Sequence, residues 1–405
     1  MTDPAPAIFF DDGQGMLAPL RDLRPISEVR TGALTSRERL CAALGLRAVA
    51  LFVQPPHETI AAEATGLPIN TVPDHDGPAL LINGRCPLPL DALDALEPGQ
   101  AAVEGGSGDL VGARLNPDDA RRLLTGDAPE LETITIDDRV LLARPWHVRT
   151  TRDACLKIDL DLLARELPPS HPDGCCLIGD HPVLCAPDAT VFPASILDTT
   201  NGPIAVRAGA TIRPGSTIIG PVVIGERSTV LDKALVKANT ALGPVCKVAG
   251  EIGGTILQGY ANKGHDGHLG DSWLGEWVNL GAGTTNSNLL NTYSEVTSVA
   301  QPHAHREKTG ETFFGCALGD HVKTAIGTRI MTGAIVHTGA MWAATAPISG
   351  CVDRFAWATD KGVRHYRVDR FLEVMRASMG RRTIEPSDAY TARVAALAEL
   401  TLAES

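Results

Sequence analysis

Residues 206–248 read VRAGATIRPGSTIIGPVVIGERSTVLDKALVKANTALGPVCKV, with an aliphatic residue at every sixth position. These positions are Val206, Ile212, Ile218, Ile224, Val230, Val236, Leu242 and Val248. An α-helix would repeat its apolar positions every 3.6 residues, and a half-buried strand every two. A period of six predicts triangular coils of three short strands, each pointing one residue inward. We therefore predict a left-handed parallel β-helix of hexapeptide repeats, which we place over residues 179–350.

The six-residue pattern returns after a shift at Leu274 and Leu280, and again around Leu318, Ile330 and Val336. Residues 284–312 between these positions show no such period. We expect them to form a loop that protrudes from the β-helix. Long loops on regular scaffolds often carry function, because the coils themselves leave little room for specialisation.

The segments on either side of the repeats have a different character. Strand-like stretches alternate with helical ones up to residue 164, which predicts an α/β domain. The predicted strands are 8–10, 48–53, 79–84 and 132–143, and the predicted helices are 35–46, with Ser36 as N-cap, and 115–124. Residues 165–178 are rich in proline and predict a linker. Residues 351–405 predict a helical C-terminal tail, with helical character from about residue 355.

Composition narrows the possible partners. The formal net charge of −12 disfavours nucleic acid and anionic membranes as binding partners. Nine cysteines without a CxxC pair are typical of reduced thiols. The N-terminus lacks a signal-peptide pattern, and an apolar run of 18 residues is absent from the sequence. We therefore expect a cytoplasmic protein without a membrane span.

Three stretches carry a resemblance to a known family, namely 9–32, 80–88 and 243–289. Together with the order of the segments, they resemble the bifunctional N-acetylglucosamine-1-phosphate uridyltransferase/glucosamine-1-phosphate acetyltransferase family. The chain looks closer still to a divergent group of sugar nucleotidyltransferases related to it. The resemblance implies nucleotidyl transfer to a sugar 1-phosphate, acyl transfer from acyl-CoA (acetyl-CoA above all) to an amino or hydroxy sugar, or both. It also implies Mg²⁺ for the N-terminal domain, nucleotides and sugar phosphates as ligands, and a homotrimer.

The acetyltransferase motif of that family is matched from Gly264-His265 through Leu269-Gly270-Asp271 to the stretch 278–284 and Asn288. By this resemblance His265 is the general base, because an imidazole can take and return a proton near neutral pH. Asn279 and Asn288 would orient the acceptor sugar or the thioester carbonyl. His268 stands where the family has tyrosine, and with Lys263, Glu251 and Lys308 it completes the predicted substrate-binding set. Two lysines of the family are replaced by Gly253 and Gly315, so the acceptor sugar stays open.

The N-terminal motif of the family is a glycine loop, matched here by Gly13 and Gly15. Backbone N–H groups of such a loop cradle phosphates, and nearby arginines would neutralise them. The predicted phosphate-binding residues are therefore Gly13, Gly15, Arg21, Arg24 and Arg85. Arg85 occupies the place of the family's magnesium-binding aspartate, and an arginine cannot ligate Mg²⁺. Either Asp11 or Asp12 serves the metal, or the domain binds its ligand without turnover.

Three other interpretations stay open from the sequence. The chain could be an acyltransferase with a degenerate nucleotide-binding N-terminal domain. It could also be a non-catalytic trimeric scaffold. Finally, His265, His268 and His321 could bind zinc at a subunit interface, as in hexapeptide-fold carbonic anhydrases, although their spacing does not match that family.

Overall fold

The N-terminal part is a six-stranded sheet in a computed structural model that describes residues 4–127 and 129–404. The strands are β1 (Ala5–Phe10), β2 (Leu46–Phe52), β3 (Ala79–Asn83), β4 (Gln100–Glu104), β5 (Leu110–Leu115) and β6 (Glu132–Ile136). Their order is β2-β1-β3-β5-β4-β6, and β5 runs antiparallel to its neighbours β3 and β4. The predicted α/β domain is confirmed, although the strand expected over 132–143 ends at Ile136.

Helices cover both surfaces of this sheet. They are α1 (Ser36–Leu44), α2 (Glu58–Thr65), α3 (Asp91–Asp94) and α4 (Pro117–Leu124). The fifth helix, α5 (His147–Leu163), places its buried side chains in the core shared with the β-helix. Leu40 of α1 packs on one surface of the sheet and Ala120 of α4 on the other. Thr35, and not the expected Ser36, is the N-cap of α1, because its side chain accepts from the Glu38 N–H in a capping box.

Residues 176–352 wind into a parallel β-helix, which confirms the predicted fold class. One sheet, the His268 face, consists of β7 (Cys176–Ile178), β10 (Ile196–Asp198), β13 (Thr217–Ile219), β16 (Leu235–Val236), β19 (Glu251–Gly253) and β22 (His268–Gly270). A second sheet, the Asn262 face, consists of β9 (Thr190–Val191), β12 (Thr211–Ile212), β15 (Thr229–Val230), β18 (Lys247–Val248) and β21 (Asn262–Lys263).

The third sheet is the covered face, with nine strands. They are β8 (Val183–Cys185), β11 (Ile204–Val206), β14 (Val222–Ile224), β17 (Thr240–Leu242), β20 (Ile256–Leu257), β23 (Trp273–Leu274), β27 (Cys316–Leu318), β30 (Ala334–Val336) and β32 (Cys351–Val352). From β7 to β23 a strand pairs with the third one along the chain, so three consecutive strands form one coil, and the covered face continues by pairing β23 with β27, β27 with β30 and β30 with β32. All eight aliphatic residues of the repeat are buried in the interior core. The six-residue period therefore marks one inward position per strand.

The covered face packs against the N-terminal domain. Its strands alternate, so that Ala205, Val223 and Ile256 point outward from the coil. These side chains are buried against Leu156 and Leu160 of α5. Full burial of each large aliphatic side chain stabilises the fold by about 1.5–3 kcal/mol, so this contact is a major interface within the chain.

An insertion interrupts the coils between the His268 face and the covered face. β24 (Thr285–Asn286) pairs with β29 (Arg329–Ile330), whereas the residues between β24 and β27 leave the coil. They include β25 (Thr297–Ser298) and β26 (Glu307–Lys308), which form an antiparallel hairpin. We call residues 295–311 the hairpin arm. The loop expected over 284–312 thus starts on the coil and then forms this arm.

The C-terminal part adds strands before its helices. β28 (Lys323–Thr324), β31 (Met341–Trp342), β33 (Ala356–Thr359) and β34 (Gly362–His365) form one sheet, followed by α6 (Val368–Gly380) and α7 (Asp388–Glu404). The helical character expected from residue 355 is wrong up to His365, because β33 continues the coil and pairs with β31. The helices cover aromatic side chains at a corner of the β-helix, where the ring centroids of the stacked Tyr260 and Trp277 lie 4.3 Å apart.

Two further features concern the whole chain. All nine cysteines are free thiols. Within residues 4–127 and 129–404, no helix combines the length and the apolar character needed to cross a membrane.

Candidate functional sites in the two halves

One candidate site lies where the carboxyl ends of parallel strands meet in the N-terminal sheet. Ligands of open α/β sheets bind in the crevice outside such strand ends. Asp12 follows β1, and Asn83 and Arg85 lie at the end of β3. Asn83 Nδ2 donates to Asp12 Oδ2 at 2.8 Å. The structure therefore brings the glycine loop and the predicted Arg85 to the same edge.

Arg85 neutralises two carboxylates at this edge. Its Nη2 lies 2.5 Å from Asp12 Oδ2 and 2.6 Å from Asp109 Oδ2, and the residue is 1% exposed. Burial alone would raise the pKa of Asp12, but the hydrogen bonds and charge of Arg85 outweigh it and lower this pKa. A magnesium ion needs free carboxylate oxygens, and those of Asp12 already bind the guanidinium. Asp12, with Arg85 beside it, therefore does not fit Mg²⁺.

The glycine loop is closed by its own acidic side chains. Gly13 and Gly15 have φ angles of +74° and +81°, which favour glycine. The Gly13 N–H donates to Asp11 Oδ1 at 2.9 Å, and the Gln14 N–H donates to Asp12 Oδ1 at 3.0 Å. These are the N–H groups that would otherwise face a phosphate. The expected phosphate cradle is thus filled by carboxylates.

The two predicted arginines of this region have different surroundings. Arg21 stays at the glycine loop, with Nη2 donating to the Gly13 carbonyl at 3.2 Å. Arg24 is buried and binds Asp320 of the β-helix, with 2.6 Å between Nη2 and Oδ1. We therefore correct the assignment of Arg24. A buried guanidinium paired with a distant coil residue joins the two halves and has no charge left for a ligand.

The second candidate site lies at the corner between the Asn262 face and the His268 face. His265 is exposed there, beside a cavity of about 520 Å³ that is also lined by Asp232, Ala249 and Ala282. Lys263 precedes the corner and pairs in register with the inward Val248, so its side chain enters the coil interior. Its Nζ donates to the carbonyls of Ala249, at 3.0 Å, and of His265.

This arrangement corrects the assignment of Lys263 as a substrate-binding residue. The side chain is 2% exposed, and burial lowers its pKa to about 8, with a smaller opposing effect of Asp266. An interior ammonium that binds two backbone carbonyls cannot reach a substrate. Lys263 instead fixes the backbone of the His265 corner.

Three predicted residues meet on the His268 face. The Nδ1 atom of His268 lies 3.4 Å from Oε1 of Glu251, its neighbour on β19, and Lys237 Nζ binds the same oxygen at 3.1 Å. A Cβ added at Gly270 would lie 2.7 Å from both His268 Nε2 and Asn288 Nδ2. The two side chains therefore converge over the glycine, leaving a partly exposed imidazole next to an amide.

Asn288 is held in place by a network that sequence patterns did not reveal. Its Nδ2 donates to Asp271 Oδ2 at 2.7 Å. The other carboxylate oxygen, Oδ1, binds Arg152 at 2.7 Å and Arg149 at 3.1 Å. Both arginines belong to α5, so the helix of the N-terminal domain supports this site. The sequence signal for this contact is that Asp271 and Asn288 both belong to the matched motif and keep its spacing.

Three other predicted residues lie elsewhere. Asn279 aligns with Asn262 and Lys323 on the Asn262 face, around the corner from Asn288. His321 is buried, and its Nε2 lies 2.8 Å from the Tyr390 hydroxyl. Lys308 lies on the hairpin arm near Glu295, at 3.5 Å, and lines a cavity with the N-terminal domain.

Two assignments are corrected by these positions. The structure does not bring His265, His268 and His321 together, and no group of three metal-binding side chains occurs in the part of the chain that it describes. His321 is therefore removed from the zinc interpretation, because it is buried and its Nε2 faces the Tyr390 hydroxyl. Lys308 is likewise removed from the predicted β-helix substrate site, because the arm carries it to the N-terminal domain.

A family model matches the N-terminal domain. Residues 7–167 match the family model described as sugar nucleotidyl transferase. The N-terminal domain is therefore similar to that family. The match ends after α5, so the matched region includes the helix that packs on the covered face.

Relatives of known name cover about half of the chain. The bifunctional protein GlmU of Nostoc sp. (strain PCC 7120) is 27% identical over 222 residues, which cover 49% of this chain and 46% of the relative. GlmU of Acaryochloris marina is 28% identical over 219 residues, covering 49% and 45%. The chain thus spans about half the length of the curated relatives it matches. Among solved structures, the acetyltransferase domain of PglB from Neisseria gonorrhoeae with acetyl coenzyme A matches at 14% identity with a TM-score of 0.20, covering 66% of this chain and all of that one.

Proposed function

We propose that this chain is an acyl-CoA-dependent acyltransferase of sugar-nucleotide chemistry. In this proposal the β-helix transfers an acetyl or related acyl group to an amino or hydroxy sugar. The N-terminal domain binds a sugar phosphate or nucleotide without metal-dependent nucleotidyl transfer. The observation that carries the proposal is the contrast between a solvent-accessible imidazole site on the β-helix and a closed carboxylate site on the sheet edge.

His265 is the proposed general base. The imidazole is exposed beside a cavity, and Lys263 anchors the backbone carbonyl of the same residue. The matched motif supports this role. His268, oriented by Glu251, and Asn288, oriented by Asp271, are proposed to position the acceptor and the thioester. Asn279 lies around the corner, so a role for it in the same site requires a ligand that spans both faces.

The proposed reaction balances as an acyl transfer. The imidazole of His265 takes a proton from the acceptor amine or hydroxyl, whose nitrogen or oxygen attacks the thioester carbonyl carbon. A new N–C or O–C bond forms and the C–S bond breaks. The imidazolium then returns the proton to the departing thiolate, which leaves as free coenzyme A thiol. Amide donors near the carbonyl oxygen would stabilise the negative charge that develops on it.

Metal-dependent nucleotidyl transfer is not part of the proposal. The triphosphate-binding N–H groups of Gly13 and Gln14 are occupied, and the oxygens of Asp12 bind Arg85. A domain of this family that lacks a metal site can still bind a ligand. We infer that it supplies binding energy or specificity rather than chemistry.

A homotrimer is the proposed assembly. Leu177, Ile178 and Ile196 on the first two strands of the His268 face are 38%, 44% and 37% exposed. Adjacent aliphatic side chains in water favour association through that face. Sedimentation should give a trimer mass for the wild type and a smaller mass after Ile178→Asp with Ile196→Asp. Val363→Asp, at a 65% exposed position of β34, is the matched control. A wild-type monomer at micromolar concentration would contradict the assembly.

The activity is tested by thiol release from acetyl-CoA. Purified protein is incubated with acetyl-CoA and a panel of amino sugars, sugar phosphates and nucleotide sugars, and free thiol is measured with a chromogenic disulfide. We expect release with at least one acceptor, together with an acylated product in the mass spectrum. Absence of acceptor-dependent release across the panel would refute acyl transfer to sugars.

A further inference from the structure

A large cleft separates the sheet edge of the N-terminal domain from the hairpin arm. Its volume is about 670 Å³, which suits a ligand of sugar-phosphate size. The N-terminal wall includes Ser107, Arg139 and Arg144, and the arm contributes Glu307 and Lys308. Ala143 lies in the same wall and accepts a hydrogen bond from the Met16 N–H at the end of the glycine loop. The cleft therefore adjoins the edge where ligands of this fold bind.

The arm is firmly attached to both halves. Nε of Arg144 lies 2.8 Å from Oε2 of Glu307, which joins the N-terminal wall to the arm. Trp146 is 1% exposed and packs in one apolar cluster with Met16, Val296 and Ala300. The arm also binds the coils, since Ser298 donates to the Gly333 carbonyl at 2.8 Å. The wall is thus a fixed part of the structure next to the glycine loop.

The charges of the lining suit a ligand that is both anionic and rich in hydroxyl groups. Glu104 is saturated, because Oε1 accepts from two backbone N–H groups and Oε2 accepts from Ser107. Arg139 is exposed and contacts the imidazole of His147 at 3.3 Å, a contact that does not neutralise its charge. The Lys308 side chain is 78% exposed at the mouth of the cleft.

His147 supports the same conclusion. The pKa of its imidazole is lowered to about 4 by burial, and then by the charges of Arg139 and Arg144. His147 is thus neutral beside Arg139, whereas Arg144 is paired with Glu307 and Lys308 lies 3.5 Å from Glu295. Carboxylates of Asp137 and Glu295 on the rim can accept hydrogen bonds from sugar hydroxyls, whereas the cations can bind a phosphate.

We propose that the hairpin arm of the β-helix forms the second wall of the N-terminal ligand site, and that the cleft binds a sugar phosphate. Arg139 and Lys308 bind the phosphate from opposite walls, and Arg144 fixes the arm through Glu307. This proposal deepens the proposed function and rests on it for the sugar-phosphate class. It assigns to the β-helix a binding role in the N-terminal site, separate from the His265 corner.

Calorimetry with glucose 1-phosphate, glucose and inorganic phosphate tests the proposal. We expect glucose 1-phosphate to bind best, and Arg139→Ala and Lys308→Ala each to weaken its binding by about tenfold or more, because each removes a charged hydrogen-bond partner. Arg306→Ala is the matched control, since this exposed arginine lies on the arm but does not line the cleft. Melting temperatures confirm that each variant is folded.

Protection of Lys308 from acetylation by an N-hydroxysuccinimide ester gives a second, direct measurement. Glucose 1-phosphate should reduce the labelling of Lys308 severalfold while the exposed Lys361 is labelled as before. Absence of binding to wild type, unchanged affinity in both cleft variants, or equal labelling of Lys308 would each overturn the proposal. Binding does not require turnover, so these outcomes are independent of thiol release, on which the acyltransferase proposal stands or falls.

Discussion

The two candidate sites each contain a carboxylate held by a cationic or protonatable partner, but in opposite ways. At the sheet edge, Asp12 is bound by the guanidinium of Arg85, whose side chain is 2% exposed. On the His268 face, Glu251 is bound by His268 and Lys237, whose side chains are 33% and 49% exposed. A permanently charged buried partner removes a carboxylate from chemistry, whereas partly exposed partners leave the carboxylate and the imidazole of the His268 face accessible to a ligand.

Replacing His265 and His268 separately distinguishes the roles of the two imidazoles. His265→Ala should slow acyl transfer by about 10²–10⁴-fold, because a positioned base is lost. His268→Ala should have a smaller effect and act mainly on the KM for the acceptor, since this residue is proposed to position it. Initial rates of thiol release over a range of acceptor concentrations separate the two.

Melting temperatures provide the control for this pair. Both residues are accessible, so neither substitution should lower the melting temperature by more than a few degrees. If His268→Ala causes the larger loss of kcat, the base is the imidazole held by Glu251, and His265 is the positioning residue.

Replacing Arg85 by an acidic residue should free the carboxylates of the closed site at the sheet edge. Arg85→Asp should destabilise the N-terminal domain by about 3–5 kcal/mol, because it leaves Asp12 and Asp109 beside a third carboxylate without their cation. Mg²⁺ should restore part of this loss, since three carboxylates can ligate it. Thermal melting with and without a saturating concentration of Mg²⁺ measures both effects.

Wild type is the reference for the magnesium experiment. Its melting temperature should not respond to Mg²⁺, and Arg85→Met, which leaves two carboxylates in place of three, should be destabilised and rescued less by the ion than Arg85→Asp. A magnesium-dependent increase in the wild type would mean that Asp12 is free enough to bind metal, contrary to the closed site described above.

The stability of the fold should depend on pH through His147 in the wall of the cleft. His147 has a pKa of about 4 in the fold, below the ordinary value of 6.5. Between these values the unfolded chain binds a proton that the folded chain does not, so stability is present above pH 6.5 and falls as the pH drops towards 4. The loss from this residue should be about 1–3 kcal/mol. His147→Asn should show a shallower decline in urea unfolding free energy between pH 6.5 and 4.5, and parallel declines would contradict the assignment.

The sequence predicted the β-helix well because its signal is local and repeated. Each coil uses the same inward position, so Val206 to Val248 could be placed without knowledge of any distant contact. The same logic explains the failure at Lys263. A lysine suggests solvent or substrate, but its place in the register is an interior one, and only the pairing with Val248 reveals it.

The remaining errors involve contacts between residues far apart in the sequence. Arg24 and Asp320 are 296 residues apart, and no local pattern links them. Lys308 lies on an arm whose direction depends on the packing of Trp146, which a loop without periodicity cannot indicate. The departure at Arg85 was visible in the sequence, yet its partners Asp12 and Asp109 became known only from the fold.

We propose that catalysis occurs on the β-helix and not at the N-terminal sheet edge. The most direct test measures thiol release and pyrophosphate release from one preparation, supplied with acetyl-CoA, nucleoside triphosphates, Mg²⁺ and a panel of sugar 1-phosphates. We expect acceptor-dependent thiol release that is lost in His265→Ala, and pyrophosphate release no faster than in the absence of protein. Magnesium-dependent pyrophosphate release by wild type, abolished by Arg85→Ala but retained in His265→Ala, would show that catalysis occurs at the N-terminal sheet edge and would contradict this proposal.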